Sequence, residues 1–490
     1  MFDLLFPMDV DYAKIIREGA NNKIDDEKFI IREIERFKRV RRQEMIDGER
    51  YYENDHDINK RKRLIIGEKG EMIEVKNLPN NKLIDNQYSK MVDQKKNYLL
   101  GNPIVFKSDN EQYNKALKRI FNRRFHRLLK SVGEDSFNGG IAYIYPYYND
   151  SGELTFKRFK SYECIPGWSD NEHTELEYLI RVYEVIAYEG QKEVKKEKVE
   201  LYLTEGIFYF ELDKDKLIPD EVPFKSYFNV TGSDGQEVGY NWTKVPIVPF
   251  KYNAKEIPLI RKVKSLQDAL NLIVSNFQNN MEEDPRNTIM VLVNYDGENL
   301  GEFRQNLATY GAVKVKTVDG AAGDLKTLQI EVNADNYKAI INLLKKAIID
   351  NAKGYDAKDE RLGNNPNEMN IQSIYSDIDL DANDMETEYQ ASFEELLWFV
   401  DMHLYNTGVG DFENEEVEVI FNRDTMISES NVIDNIGKSV GILSKETLVA
   451  NHPWVDSPQA ELDRLDQEQQ DDLASYGQAF VDRGDLDEQE

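Results

Sequence analysis

The chain has a single cysteine, Cys164, among 490 residues. No intrachain disulfide can form, and a reducing compartment is expected. One thiol also cannot build a cysteine-based zinc centre. The five histidines, at 56, 126, 173, 403 and 452, are scattered and form no H-E-x-x-H pair. No apolar run approaches the roughly 18 residues of a membrane span. The opening MFDLLFPMDVDY lacks the basic start and apolar length of a signal peptide. The expectation is a soluble protein with no membrane partner.

Catalytic signatures are missing as well. No G-x-x-x-x-G-K-[ST] loop occurs; GEKGEMIEVK (67–76) lacks the closing hydroxyl and the following helix. There is no G-x-G-x-x-G and no G-x-S-x-G. Acidic pairs such as Glu282/Glu283 and Glu394/Glu395 are so common here that adjacency says nothing about acid–base or metal chemistry. DIDLDAND (377–384) lacks the central glycine and closing glutamate of a calcium loop. No enzyme activity, cofactor or metal is expected.

Positive charge is in short supply: 62 Lys and Arg stand against 91 Asp and Glu, a net charge of −29. A protein that grips nucleic-acid phosphates carries a basic surplus. An acidic surface keeps a protein soluble and lets a polyanion pass close by without sticking. What the chain does have is core material: 40% apolar residues, 27 Tyr and 22 Phe. That composition predicts a folded protein of two to four units, or one elongated subunit with insertions.

Periodicity supplies the elements. Residues 25–50 read as an exposed helix with Phe29, Ile30, Ile34 and Phe37 inward and Lys38, Arg39, Arg41 and Arg42 on a solvated face. A second helix runs from about 82 and stops at Gly101, before Pro103. A third covers 110–132, where His126 shares a wet face with Arg123, Arg124 and Arg127. Residues 141–162 alternate around an Asp150–Ser151–Gly152 turn, and 178–189, 197–212 and 245–253 continue the strand pattern. The class is α+β with a curved sheet.

From Pro258 the pattern changes. Val263, Leu266, Leu270, Ile273, Val274, Phe277 and Met281 mark a long amphipathic helix ended by Pro285. A small βαββ knob follows (289–295, 299–310, 312–318, 325–332). Another helix begins near Asp335 with Tyr337, Ile340, Ile341, Leu344, Ala347 and Ile348 in register. So small a knob cannot cover both apolar stripes, so the helices pack on each other, on neighbouring copies, or on both. Residues 353–370 are a polar, mobile loop. A further long helix spans about 380–406, with His403 packing near Trp398. A strand covers 416–422, small helices follow with Ser444 as an N-cap, and an acidic tail ends disordered.

Several stretches carry a resemblance. MVDQKKNYLLGNPI (91–104), FNGGIAYIYPYYNDSGELTFKRFKSYECIPGW (137–168), IRVYEV (180–185), VPIVPFKYN (245–253) and SLQDALNLIVSNFQNNMEED (265–284) occur in an order that resembles the portal proteins of tailed bacteriophages, of the kind typified by long-tailed Bacillus phages. The likeness runs over roughly residues 25–450. It implies an elongated subunit: N-terminal region and wing (1–257), first stem helix (258–284), clip (285–333), second stem helix (334–353), tunnel loop (354–372), a long connecting helix (373–410), and a mostly helical crown with the acidic tail (411–490).

The same resemblance implies a homo-oligomeric ring of twelve copies, or thirteen in isolation, at one capsid vertex. Double-stranded DNA enters and leaves through it without sequence preference. Terminase docks first and a head-completion adaptor later, beside the major capsid and scaffolding proteins. The location is the virion, after assembly in the host bacterial cytoplasm. On this reading Lys345, Lys346, Lys353, Lys358 and Arg361, with Asn364 and Asn365, are channel or tunnel-loop contacts to DNA. Val263, Leu270, Ile273, Phe277, Ile341, Leu344 and Ile348 pack the stem within and between copies. Tyr295, Asp296, Asn299 and Glu302 meet partners at the clip. The alternatives are another virion structural protein, or a metal-dependent nuclease using clustered acids.

Overall fold

The computed structural model describes residues 27–66, 70–75, 78–231, 236–283, 289–293, 324–328, 334–356, 368–423, 429–452, 454–455, 461–465 and 467–468. The chain divides into two compact units, residues 1–356 with 375–423, and residues 357–374 with 424–490.

In the first unit, helix α1 (Glu27–Val40) buries Ile30, Ile34 and Phe37, which share one face at helical spacing. Of the four basic residues expected on a solvated face at its end, Arg39 is exposed and the other three are drawn in. Lys38 pairs with Glu197 at 2.5 Å, Arg41 with the buried Glu256 at 2.9 Å, and Arg42 Nε donates to the Tyr162 carbonyl at 3.1 Å. Acceptors distant in sequence draw these side chains in. Helix α2 (Arg42–Tyr52), the short strands β1 (Leu64–Ile66) and β2 (Met72–Glu74), and helix α3 (Gln87–Leu100) follow.

The expected single helix over 110–132 is two: α4 (Glu111–Ile120) and α5 (Arg123–Gly139), after β3 (Val105–Lys107). Asn122 makes the break. Its side-chain oxygen accepts the Arg124 and Phe125 amides at 2.8 and 3.4 Å and starts a new helix. Phe121 at the corner stacks on Phe106, with ring centroids 4.0 Å apart. Helix α5 stops at Gly140 (φ 82), where a Cβ would lie 2.1 Å from the Glu256 carbonyl oxygen, so only glycine fits.

Strands β4 (Ile141–Tyr148) and β5 (Leu154–Phe159) form the expected hairpin. Strands β6 (Cys164–Trp168), β7 (Leu176–Glu189), β8 (Lys192–Leu203), β9 (Gly206–Asp213) and β10 (Lys216–Lys225) make an antiparallel sheet in sequence order. Strands β11 (Phe228–Thr231) and β12 (Glu237–Tyr240) pair with each other, and β13 (Val248–Lys251) joins the other edge of β4. Helix α6 (Leu259–Glu283) leads to β14 (Ile289–Val293), which pairs antiparallel with β15 (Asp324–Leu328); helix α7 (Ala334–Asn351) follows. The expected knob helix (299–310) and middle strand (312–318) lie outside the described residues.

Helix α8 (Glu368–Asn406) threads the core. Met385, Tyr389, Phe393, Leu396 and Val400 lie on one stripe and are buried. The stretch 377–384 lies within this helix, and its carboxylates hold helices together: Asp381 pairs with Lys95 at 2.7 Å and Asp379 accepts from the Tyr98 hydroxyl. Strand β16 (Glu418–Ile420) pairs with β3. The second unit contains α9 (Glu429–Ser439) and α10 (Lys445–Ala450), the latter capped by Ser444 Oγ accepting from the Thr447 amide at 3.2 Å. No described helix is long and apolar enough to cross a membrane.

Candidate functional site

At 1.5 Å per residue, the 25 residues of α6 span roughly 38 Å. Helix α7 packs against it. The Phe277 and Tyr337 rings lie 4.9 Å apart, and Asn280 Nδ2 donates to the Tyr337 hydroxyl at 2.8 Å. Of the chosen stem residues, Val263, Leu270 and Ile348 are fully buried within one copy, and Ile273, Phe277, Ile341 and Leu344 are half-buried. The apolar side chains left on the surface are others: Leu272, Met281, Ile340 and Leu343, the last 66% exposed. Their signal was present in the sequence. Ile340, Ile341, Leu343, Leu344, Ile348 and Ile349 span more than one stripe, so α7 carries two apolar faces and a single chain covers one of them.

A further face of α6 went unrecognised. Gln267, Asn271, Ser275 and Asn279 recur every fourth residue and are all buried. Each binds the backbone of an extended segment. Asn279 Oδ1 accepts the Asn81 amide at 2.8 Å, Ser275 Oγ the Leu83 amide at 2.9 Å, and Asn271 Oδ1 the Asp85 amide at 3.1 Å. Gln267 Oε1 accepts both the Gln87 and Tyr88 amides at 3.0 Å. The repeats match: four helical residues rise about 6 Å and two extended residues about 6.6 Å. This strap explains why α3 starts at Gln87 rather than near 82. Its first amides are taken by Gln267 and by Asn86, whose Oδ1 accepts from Ser89 at 2.9 Å. His56 Nδ1 lies 2.8 Å from Asn271 Nδ2; burial lowers the imidazole pKa, so the neutral ring accepts from the amide.

The exit of α7 is bolted down. Lys353 sits in the left-handed region (φ 51), the Gly354 amide bonds back to the Ile349 carbonyl at 2.9 Å, and the Lys353 amide to Asp350 at 3.1 Å. This is a Schellman end with lysine in the usual glycine place. Lys95 Nζ reaches the Lys353 carbonyl (3.0 Å) and Asp381 (2.7 Å), and Tyr252 donates to the same carboxylate at 2.8 Å. Burial pulls the Lys95 ammonium down to about 8 against the opposing pull of Asp381. Gln94 clasps Tyr355, donating to its carbonyl at 2.9 Å and accepting its amide at 3.0 Å.

Residues 353–356 are therefore fastened, contrary to the expected loop start. Gly354 serves closeness, not mobility: a Cβ there would lie 2.5 Å from Met91 Sδ and 2.9 Å from Gln94 Oε1. Gly354→Ala is expected to cost about 1–3 kcal/mol by overpacking, read as a lower denaturation midpoint. Adding Met91→Ala is expected to cost less than the sum of the two single changes.

The cations expected to face DNA are placed unevenly. Lys345 pairs with Asp85 at 2.6 Å, and Lys353 lies between Asp381 (3.5 Å) and Asp384 (3.6 Å). Lys346 is exposed and makes no ion pair among the described residues. Lys358, Arg361, Asn364 and Asn365, and the clip residues Tyr295, Asp296, Asn299 and Glu302, lie outside the described residues.

Comparison with known proteins places these helices in context. Residues 32–474 match the family described as phage portal protein, SPP1 Gp6-like. The chain is 29% identical over 444 residues to the portal protein of Bacillus phage SPP1, covering 90% of this chain and 86% of that protein. It is 30% identical over 432 residues to the portal protein of Clostridium phage phiCD119, covering 85% and 90%. Among solved structures, the neck of a native gene transfer agent (GTA) particle computed with C12 symmetry superposes with a TM-score of 0.39 at 11% identity, covering 75% of this chain and 89% of that one. The virion of the native GTA particle superposes with a TM-score of 0.38 at 11% identity, covering 74% and 87%.

Proposed function

The chain belongs to the SPP1 Gp6-like family of phage portal proteins, and from that premise we propose that twelve copies close into a ring whose channel is walled by α6 and α7. Double-stranded DNA passes through it during packaging and ejection. In this reading α6 and α7 are the stem, residues 285–333 the clip, the residues after Asp356 a tunnel loop, and the C-terminal region the crown. Terminase docks on the clip during filling and a head-completion adaptor afterwards. The major capsid and scaffolding proteins surround the wing, and assembly takes place in the host cytoplasm. The chain performs no chemistry of its own; the docked motor hydrolyses ATP.

The observation that carries the reading is the pairing of Lys345 on α7 with Asp85, and of Lys353 just past its end with Asp381 and Asp384 of α8. Each free cation on a phosphate would add affinity and friction. Twelve copies at −29 each hold about −350 charges, screened beyond roughly 8 Å at physiological salt. A duplex is thus repelled at short range and slides. Negative-stain imaging of the purified chain is expected to show rings of twelve or thirteen copies around a central hole. Monomers or sheets under all conditions would overturn the proposal.

A further inference from the structure

The chain is acidic, yet residues 115–130 (KALKRIFNRRFHRLLK) hold seven cations and no acid. They form the corner between α4 and α5. Lys118, Arg119, Arg123, Arg124 and Arg127 are exposed, and none makes an ion pair among the described residues. A hollow of about 1020 Å³ there is lined by Arg119, Arg123, Arg124 and Lys115, the last paired with Glu111 at 2.6 Å, with one carboxylate, Glu153, and with His403 of α8 and Thr407 just past its end. In a chain with this excess of acid, so many unpaired cations on one corner call for an anionic partner.

The same helix walls the opposite surface. A groove of about 1090 Å³ is lined by Asp109, Asp401, Asp411, Glu413, Glu415 and Glu416, over Trp398 and Tyr405, with Lys107 as the one cation in its lining. None of these carboxylates is in an ion pair among the described residues. Burial, then the charges of Asp411 and Glu413, push Asp401 up to about 6 against the hydrogen bond from Tyr113. At about 100° per residue, the α8 side chains lining the groove and those lining the basic hollow point roughly 150° apart around the helix axis. The two surfaces therefore look away from each other across one helix.

We propose that the basic α4–α5 corner of one copy seats in the acidic groove of the next, and that this contact repeats around the ring. The inference rests on the portal reading. A closed ring needs two different faces that fit each other, one on each side of every subunit. Opposite charge on opposite sides of one chain provides that fit and steers assembly in one direction. A polyanion would fit the corner alone and would leave the groove unexplained; a second copy accounts for both.

The test is charge exchange. Arg123→Glu with Arg124→Glu turns the corner acidic, and Glu415→Lys with Glu416→Lys turns the groove basic. Each pair alone is expected to lower ring yield at least tenfold at fixed protein concentration and salt, with the circular dichroism spectrum and denaturation midpoint of wild type. All four changes on one chain are expected to restore rings. Mixing the two reversed chains is expected to give rings of alternating copies, read by native mass. Wild-type ring yield from either reversed pair overturns the contact, as does loss that the fourfold chain does not restore. Absence of rings from the wild type overturns the portal reading along with it, whereas rings that survive reversal overturn the contact alone.

Discussion

Gln267→Leu is expected to lower the stability of the fold by about 3–5 kcal/mol and to free the strap beneath α3. Gln267 Oε1 accepts two amides, those of Gln87 and Tyr88, while Nε2 donates to the Asp85 carbonyl at 2.8 Å and to Asn271 at 3.0 Å. Leucine fills the space but removes four hydrogen bonds and leaves the buried Tyr88 amide without a partner, while the Gln87 amide keeps the Asp85 carbonyl at 2.9 Å and Asn271 Oδ1 keeps the Asp85 amide at 3.1 Å. Each lost hydrogen bond costs about 0.5–1.5 kcal/mol and the orphaned amide about 1–3 kcal/mol, and partial relaxation keeps the total below the full sum. Hydrogen exchange at Asn81, Leu83, Asp85, Gln87 and Tyr88 should accelerate by about a hundredfold or more, the zipper opening from its Gln267 end. Unchanged exchange in Gln267→Leu would mean that the strap is held by something other than the polar ladder.

The second large effect falls on Glu256. This carboxylate is buried between Arg41 at 2.9 Å, His173 Nδ1 at 2.6 Å and Lys251 at 4.0 Å, and it takes up φ 55. Burial by itself would raise its pKa. The His173 hydrogen bond and the charges of Arg41, His173 and Lys251 outweigh that and hold it at about 2. Glu256→Gln keeps the shape but leaves buried cations without a counter-charge, and the expected loss is about 3–5 kcal/mol.

Acid titration tests the same group from the other side. A carboxyl with its folded pKa below the ordinary 4.5 stabilises the native state above that pH and stops doing so as the pH falls toward about 2. Across that window the wild type should lose about 3 kcal/mol attributable to this site, by the relation of 1.36 kcal/mol per pH unit. The Glu256→Gln chain should show a flatter dependence over the same range. Denaturant titrations between pH 2 and 5 measure both slopes; parallel curves would remove Glu256 from the account. The site joins the end of α1, strand β13 and the approach to α6, so its loss loosens the start of α6.

Much of the fold is readable along the chain because its signals are local. Helix α6 runs Leu259–Glu283 as the apolar spacing from Val263 to Met281 requires. The β4–β5 hairpin turns where Asp150–Ser151–Gly152 stands. Other features are not local. The apolar spacing of 110–132 continues through the corner, and only the side chain of Asn122 reveals that one helix has become two. Lys38, Arg41 and Arg42 look like a wet face until Glu197, Glu256 and Tyr162 arrive from more than a hundred residues away. Gly354 looks like a hinge until Met91 and Gln94 close over it.

The sequence by itself determined the class of architecture, the positions of the long helices α6 and α7, and the acidic balance of the chain. Periodicity and net charge are properties of the chain and survive without a fold. Tertiary structure alone decided which face of each helix is spent inside one copy, which cations are neutralised, and where the unpaired charge collects. Those outcomes depend on side chains that meet across large separations, and partner choice at such distances is set by packing geometry rather than by neighbours in sequence.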